Sequence, residues 1–204
     1  SFDTPNDATI AGITVGTGGV ASNIAIGDSA LFSNVSGVAN TAVGTAALGN
    51  NTSGTNNIAI GLNSLLQNTA GYYNVAVGGE ALSSNPTGNY NTAVGASALL
   101  SSTSGIYNTA IGYNAGANIG SGDYNVIVGS YTGLGVPLSG SGSNHVVLSD
   151  GAGNVRLTTN ANGALSFDGS DYGTANQVLI SNGSGSAPTW SEPTTVTATA
   201  TKPV

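Results

Sequence analysis

The sequence predicts an all-β chain whose main body is a parallel β-solenoid, or β-roll, of seven 17-residue coils. Three observations predict it. A five-residue phrase recurs at a fixed interval: Asn23 to Gly27 (NIAIG), Asn40 to Gly44 (NTAVG), Asn57 to Gly61 (NIAIG), Asn74 to Gly78 (NVAVG), Asn91 to Gly95 (NTAVG), Asn108 to Gly112 (NTAIG) and Asn125 to Gly129 (NVIVG) start 17 residues apart without one insertion. Charged residues make up 5% of the 204, against about 25% in ordinary domains, while glycine numbers 32. Gly also recurs twice in every 17 residues, which leaves no 3.6-residue apolar face for a helix, and it is not at every third position as collagen requires. A period this short suits neither a helix pair nor a propeller blade. Each copy therefore reads as one coil stacked about 4.8 Å on the next, and seven coils as a rod of roughly 34 Å.

Residues 1–22 precede the first copy and are expected to cap it, because solenoid ends need atypical covering. The roll itself spans 23–139. In each copy the first half reads as a strand: the column Ile26, Val43, Ile60, Val77, Val94, Ile111 and Val128 suits a pleated, half-buried surface, and the Gly after each ends the strand where the chain must bend. A second apolar step follows at Leu31, Leu48, Leu65, Leu82 and Leu99. The pieces NTSG (Asn51 to Gly54) and NTAG (Asn68 to Gly71) then supply turn chemistry, since Asn and Ser bond locally to backbone and Gly accepts positive φ.

Stacking converts each repeat position into a ladder. Asn23, Asn40, Asn57, Asn74, Asn91, Asn108 and Asn125 are expected to form an Asn ladder whose amides bond up and down the stack, as in cross-β assemblies. Like charges placed directly opposite would destabilise such a stack, so the scarcity of charge follows from the architecture. The strand alternates Val or Ile with Ala (Ala25, Ala42, Ala59, Ala76, Ala93, Ala110), so both of its faces are apolar and both call for burial. A coil with about five apolar positions has a thin interior. The small-residue face is therefore expected to meet another chain, most simply in a homotrimer built about one axis.

The 17-residue spacing breaks near Leu134 to Ser143 (LGVPLSGSGS), where Pro137 interrupts any ladder. Residues 140–190 read as hairpins: Val155 to Thr158 and Ala164 to Phe167 flank Asn162 and Gly163, a turn that needs positive φ, and a second unit runs from Gln177 to Trp190 around Asn182 and Gly183. Residues 191–204 read as a linker or tail. A chain opening at Ser1 also reads as a piece of a longer one.

Two resemblances attach to these residues. The N-x-A-[VI]-G-x-x-A-L units, from Asn23 to about Gly133, resemble the head repeats of trimeric autotransporter adhesins, which implies a trimer of left-handed parallel β-rolls; the 17-residue unit is longer than is usual there. The stretches NHVVLSDGAGNVRLTTNANGALSFDG (Asn144 to Gly169) and GTANQVLISNGSGSAPTW (Gly173 to Trp190) resemble segments common in bacteriophage tail fibres, which are trimeric and carry host-recognition surfaces. QVLISNGSGSAPTW is the more specific of these phrases, and it makes the C-terminal region fibre-like.

Candidate sites are few. Tyr73, Tyr90, Tyr107 and Tyr124 share the last repeat position, with Tyr72 beside them. Beside polar turns they are expected to form an exposed aromatic strip on which sugar rings can stack; the competing reading is that the rings cover a coil edge or a seam between chains. His145 is the sole histidine and cysteine is absent, so a nucleophilic triad could draw only on His145 with residues such as Ser143 and Asp150. Asp168 and Asp171, the close acidic pair, sit in the turn FDGSDYG, where Asp commonly bonds its own backbone. The loop Asp150 to Asn154 (DGAGN) lacks the run of a calcium loop, and the Gly-rich pieces lack the Lys of a phosphate loop. Sequons at Asn34, Asn50, Asn51 and Asn182 matter only in a secretory eukaryotic setting. No enzyme activity, cofactor or metal is expected.

The net charge of −7, from nine acids against two basic residues, provides no patch for nucleic acid. No apolar run approaches the roughly 20 residues that span a bilayer, so no membrane insertion is expected. The function these features imply is a structural and adhesive fibre segment of a phage or phage-like particle, on a virion tail or extracellular particle surface, or alternatively on a bacterial cell surface. Its partners would be a host-surface glycan or protein receptor and other fibre or baseplate proteins. The alternatives are a pure spacer, an ice-binding solenoid with ranked Thr (Thr41, Thr92, Thr109), and a glycan-cleaving tailspike.

Overall fold

A computed structural model describes residues 8–10, 13–16, 22–135, 138, 140–174, 177–183 and 186–193. Pro137, the tail beyond 193 and most of the N-terminal cap lie outside the described residues. Within them the fold is all-β, a parallel solenoid of about seven turns. Twelve strands join one sheet in chain order: β1 (Ala8–Ile10), β2 (Ile13–Gly16), β3 (Ile24–Ile26), β4 (Thr41–Val43), β5 (Ile58–Ile60), β6 (Val75–Val77), β7 (Thr92–Val94), β8 (Thr109–Ile111), β9 (Val126–Val128), β10 (Val146–Ser149), β11 (Val155–Thr159) and β12 (Leu165–Ser166). β13 (Val178–Ile180) and β14 (Thr189–Ser191) form a separate antiparallel pair.

From β3 to β9 the pairing is parallel and in register, Ala59 opposite Ala76 and Ala76 opposite Ala93. The remainder of the coil bonds to its neighbour as well. In the leg opposite the strand, the Leu48 and Asn50 amides donate to Ser64 O and Leu66 O; in the turn, the Thr52 amide and hydroxyl both donate to Thr69 O. The expected second apolar step is thus not a strand. It is a leg in which alternate residues, such as Asn63 and Leu65, take left-handed φ of 56° and 49°. For Leu that conformation costs about 1–2 kcal/mol, and the complete burial of Leu65, about 1.5–3 kcal/mol, offsets it.

The Asn ladder forms as expected. Asn57 Nδ2 donates 2.8 Å to Gly71 O in its own coil and 3.2 Å to Asn40 Oδ1, which also receives the Asn57 amide at 3.0 Å. The same three bonds recur at Asn74, Asn91 and Asn108. A second, shorter ladder runs through the turn: Asn51 Nδ2 to Asn34 Oδ1 and Asn68 Nδ2 to Asn51 Oδ1, both 2.8 Å. It stops at Asn68, whose buried Oδ1 has no partner, because Asn85 turns its own Oδ1 to the Gly88 amide. The strand-ending glycines admit nothing larger, since a Cβ on Gly44 (φ 128°) would lie 2.6 Å from Gly61 O.

The expectation that the alanine face meets another chain is overturned. Ala42, Ala59, Ala76, Ala93 and Ala110 are fully buried inside the coil against the Leu column, while the residues on either side of each Ala point outward. The reason is space: the Leu column of the leg fills most of the interior, so the strand contributes little more than a methyl to it. The last two turns show the same limit by compensation. Ile127 replaces the inward Ala of the seventh and Gly116 the Leu of the sixth; a Cβ on Gly116 would stand 3.0 Å from both the Ile127 Cδ1 and the Leu99 Cδ2, so added bulk on the strand is matched by lost bulk on the adjacent leg.

Both edges of the parallel stack are closed by antiparallel hairpins. β2 runs antiparallel to β3, in the region where a cap is expected, and β11 runs antiparallel to β10. β10 itself continues the parallel stack beyond residue 139, with Val146 opposite Val126, an offset of 20 residues instead of 17. The extra loop is held by Tyr131, whose hydroxyl donates to Leu138 O at 3.0 Å and receives the Leu138 amide. The two expected hairpins are present as β11–β12 and β13–β14, with Gly163 at φ 79° and Gly183 at φ 84°.

Replacement of the ladder residue tests its weight. Asn91→Ala leaves Gly105 O and the Asn108 amide without partners and should lower stability by about 2–4 kcal/mol. Asn91→Asp places a carboxyl against Gly105 O and Asn74 Oδ1; burial raises its pKa, so thermal unfolding should show the variant least stable at high pH and recovering as pH falls through that raised value.

Candidate functional site

The last residue of each coil precedes the ladder Asn and turns the chain into the strand. It is left-handed throughout: φ is 57° at Asn56, 54° at Tyr73, 59° at Tyr90, 57° at Tyr107, 58° at Tyr124 and 61° at Asn144. A uniform backbone bond fixes it, the Tyr90 amide donating to Tyr72 O and the Tyr107 amide to Asn89 O, each 3.1 Å. At the neighbouring position Asn89 Oδ1 takes the Tyr72 amide and Asp123 Oδ1 takes the Ile106 amide. Every Tyr therefore leaves the coil at the same angle.

The rings consequently stack. Centroids of Tyr73 and Tyr90 are 5.4 Å apart with planes at 7°, those of Tyr90 and Tyr107 4.7 Å and 3°, and those of Tyr107 and Tyr124 5.2 Å and 9°. Tyr72 stands edge-on to Tyr90 at 5.3 Å. The five side chains remain 38–53% exposed. Their faces are turned to one another, so a sugar cannot stack on the inner rings as the sequence suggests; the strip presents ring edges and hydroxyls in a row. Partial desolvation, and then the neighbouring hydroxyls of Tyr72, Tyr107 and Tyr73, push the Tyr90 phenol above its ordinary value of 10.0, so it remains a neutral donor.

One residue along, across the ladder Asn, lies the outward face of the sheet. Two columns of β-branched residues occupy it, with Ile24, Ile58 and Val126 in one and Ile60, Val94 and Ile111 in the other, each 37–50% exposed. Thr41, Thr92 and Thr109 are the polar members of the first column, and neither column carries a charge.

The remaining candidates take structural positions. His145 stands where the ladder Asn would be: its amide donates to Asn125 Oδ1 and its Nδ1 lies 3.0 Å from Thr159 O in β11. Asp150 Oδ1 accepts the Ala152 and Asn154 amides of its turn, and its carboxylate pairs with Arg156, the one ion pair among the described residues. The Asn154 side chain first and Arg156 second hold Asp150 well below its ordinary pKa. Asp168 Oδ1 accepts the Asp171 and Ser170 amides, which lower its pKa likewise, and Asp171 accepts the Gly173 amide. Both aspartates line a cavity of about 110 Å³ with Phe167 and Trp190. Of the sequons, Asn51 is fully buried in the turn ladder. Among the described residues no group of three metal-binding side chains occurs, and no helix is long and apolar enough to cross a membrane.

Compared with protein-family models, curated proteins and solved structures, the chain matches none.

Two outcomes follow from this geometry. Tyr107→Asn removes two ring stacks, about 0.5–1.5 kcal/mol each, but places the residue of Asn56 and Asn144 in a backbone conformation that costs Tyr about 1–2 kcal/mol; its unfolding free energy from chemical denaturation should change by no more than about 2 kcal/mol. Because Asp150 has a lowered folded pKa, its contribution is present above the ordinary value of 3.8 and lost as pH falls below it, so thermal unfolding between about pH 5 and pH 2 should be less pH-dependent in Asp150→Asn.

Proposed function

We propose that the chain is a segment of a trimeric fibre of a phage or phage-like particle that mediates attachment to a host surface. The observation that carries this reading is the outward β-branched face, which runs unbroken along the solenoid between two capped edges. Eight parallel strands at about 4.8 Å make it roughly 34 Å long, and an apolar strip of that extent marks an interaction surface. At both ends the parallel stack gives way to short antiparallel strands, which make poor templates for extending it, so the long outward face is the larger surface for association. The occupant that suits a flat, uncharged, periodic surface is the same surface on further copies, where identical columns pack in register. The number three comes from the resemblance to adhesin heads and tail fibres.

In this reading the β-branched columns form the inner seam, the near-absence of charge makes a neutral rod, and the tyrosine column is the surface offered to a host glycan or protein receptor. Other fibre or baseplate proteins would hold the ends. A segment whose tyrosines bind nothing would be a spacer. The flat array of Ile, Val and Thr favours one further reading, a monomeric ice-binding solenoid, in which the same face meets ice instead of another chain.

Light scattering on the native protein separates these readings. The assembly should weigh three times the 19.7 kDa chain, and Val94→Asp, at the centre of the face, should reduce it to a single chain with the β signature of its circular dichroism intact. A native monomer would sink the fibre reading, and thermal hysteresis would then be the property to measure.

A further inference from the structure

Four successive tyrosines, like the exposed Ala39 and Glu80, carry left-handed strain that burial does not offset, and only the tyrosines repeat it coil after coil. Leu65, Leu82 and Leu99 are also left-handed, but each is fully buried. The tyrosines are about half exposed, and their stacking recovers only part of the conformational cost. Asn, the side chain that tolerates this backbone best, stands at both ends of the run, at Asn56 and Asn144, so the column has no need of Tyr for folding. Strain kept where a cheaper residue is available points to what the side chain presents.

What it presents is a row of hydroxyls and ring edges, one per coil, with ring centroids 5.4, 4.7 and 5.2 Å apart from one coil to the next. Among the described residues the one Lys or Arg side chain is Arg156, which is paired with Asp150, so the column has no cation of its own and an anionic ligand is disfavoured. The faces of the inner rings, Tyr90 and Tyr107, are covered by their neighbours, which disfavours sugars stacked flat along the row. We infer that the column binds an extended, neutral, β-linked polysaccharide lying parallel to the axis, with successive pyranoses in step with successive tyrosines. A β-1,4-linked chain advances by nearly the same step per sugar, so each sugar can exchange a hydrogen bond with one phenol without either chain bending. An α-1,4-linked chain coils away from a straight row. This inference rests on the reading of the column as the recognition surface.

Calorimetric titration of the native full chain with cello-oligosaccharides, from the disaccharide to the hexasaccharide, tests it against malto-oligosaccharides of equal length. Affinity should rise roughly three- to tenfold per sugar up to the tetrasaccharide, when the four stacked rungs are filled, and then level off; the α-linked series should not bind. The double variant Tyr90→Phe with Tyr107→Phe keeps the stack and should weaken the tetrasaccharide at least about tenfold at unchanged particle mass. Equal binding of both series, affinity independent of length, full binding by the Phe variant, or loss of the assembly in that variant would each overturn the inference, the last by making the column a seam. If no oligosaccharide binds while the native mass is three chains, the ligand falls and the fibre reading stands; if the native mass is one chain, the fibre reading falls and the titration still reports on the column.

Discussion

Each coil can place its ladder asparagine only where the preceding coil has left an oxygen for it. Asn74 gives its amide group to Gly88 O and Asn57 Oδ1, and its own Oδ1 receives the next asparagine through both backbone and side chain. Buried amides satisfied in this way tolerate no change of register, since a slip of one residue strands a donor and an acceptor in every coil at once. The constant length of 17 residues, the glycines that let Gly44 approach Gly61, and the exclusion of charge from the stacked positions are all consequences of that fit. Where the length changes to 20, His145 takes over the acceptor contact with Asn125, and Tyr131 ties down the added loop.

The same fit fixes what lies inside and outside. Strand and leg are bonded separately to the neighbouring coil, so their separation is set by the chain and not by the side chains between them. That gap accepts Ala from the strand and Leu from the leg, and an increase on one wall demands a decrease on the other, as at Ile127 and Gly116. The larger β-branched residues are thereby directed outward, leaving an apolar flank along the solenoid.

Much of this is legible in the sequence. The fixed spacing predicts the coil count, the strand, the Asn ladder and the register; Asn162 with Gly163 and Asn182 with Gly183 predict the two hairpins. The alternation of Val and Ala identifies two faces, but not which is internal, because that depends on the left-handed leg, and Leu does not announce a left-handed backbone. The shared repeat position of the tyrosines predicts that they stack as a column, but their face-to-face rings depend on the left-handed backbone, for which Asn56 and Asn144 at the same position are a signal. The turn ladder through Asn51 and Asn68 is masked because Asn in NTSG and NTAG is equally at home in a solvated turn. The eighth parallel strand is signalled only by HVVL standing 20 residues after NVIV, off the period that makes the others visible.

The tyrosine column and the apolar flank are separated along the chain by one residue, the ladder asparagine, and this adjacency constrains any assembly. If the flank is covered by other copies, each copy still carries one tyrosine row beside its seam, parallel to the axis and as straight as the asparagine ladder that positions it. A trimer would then present three such rows, and an elongated ligand held by one row lies close to the next. Weak contacts repeated at fixed spacing gain from effective concentration without any single tight pocket. A repeat of this regularity, with a surface of edges and hydroxyls, is suited to that kind of recognition: its selectivity would reside in the spacing and straightness of the ligand, which the backbone ladder enforces.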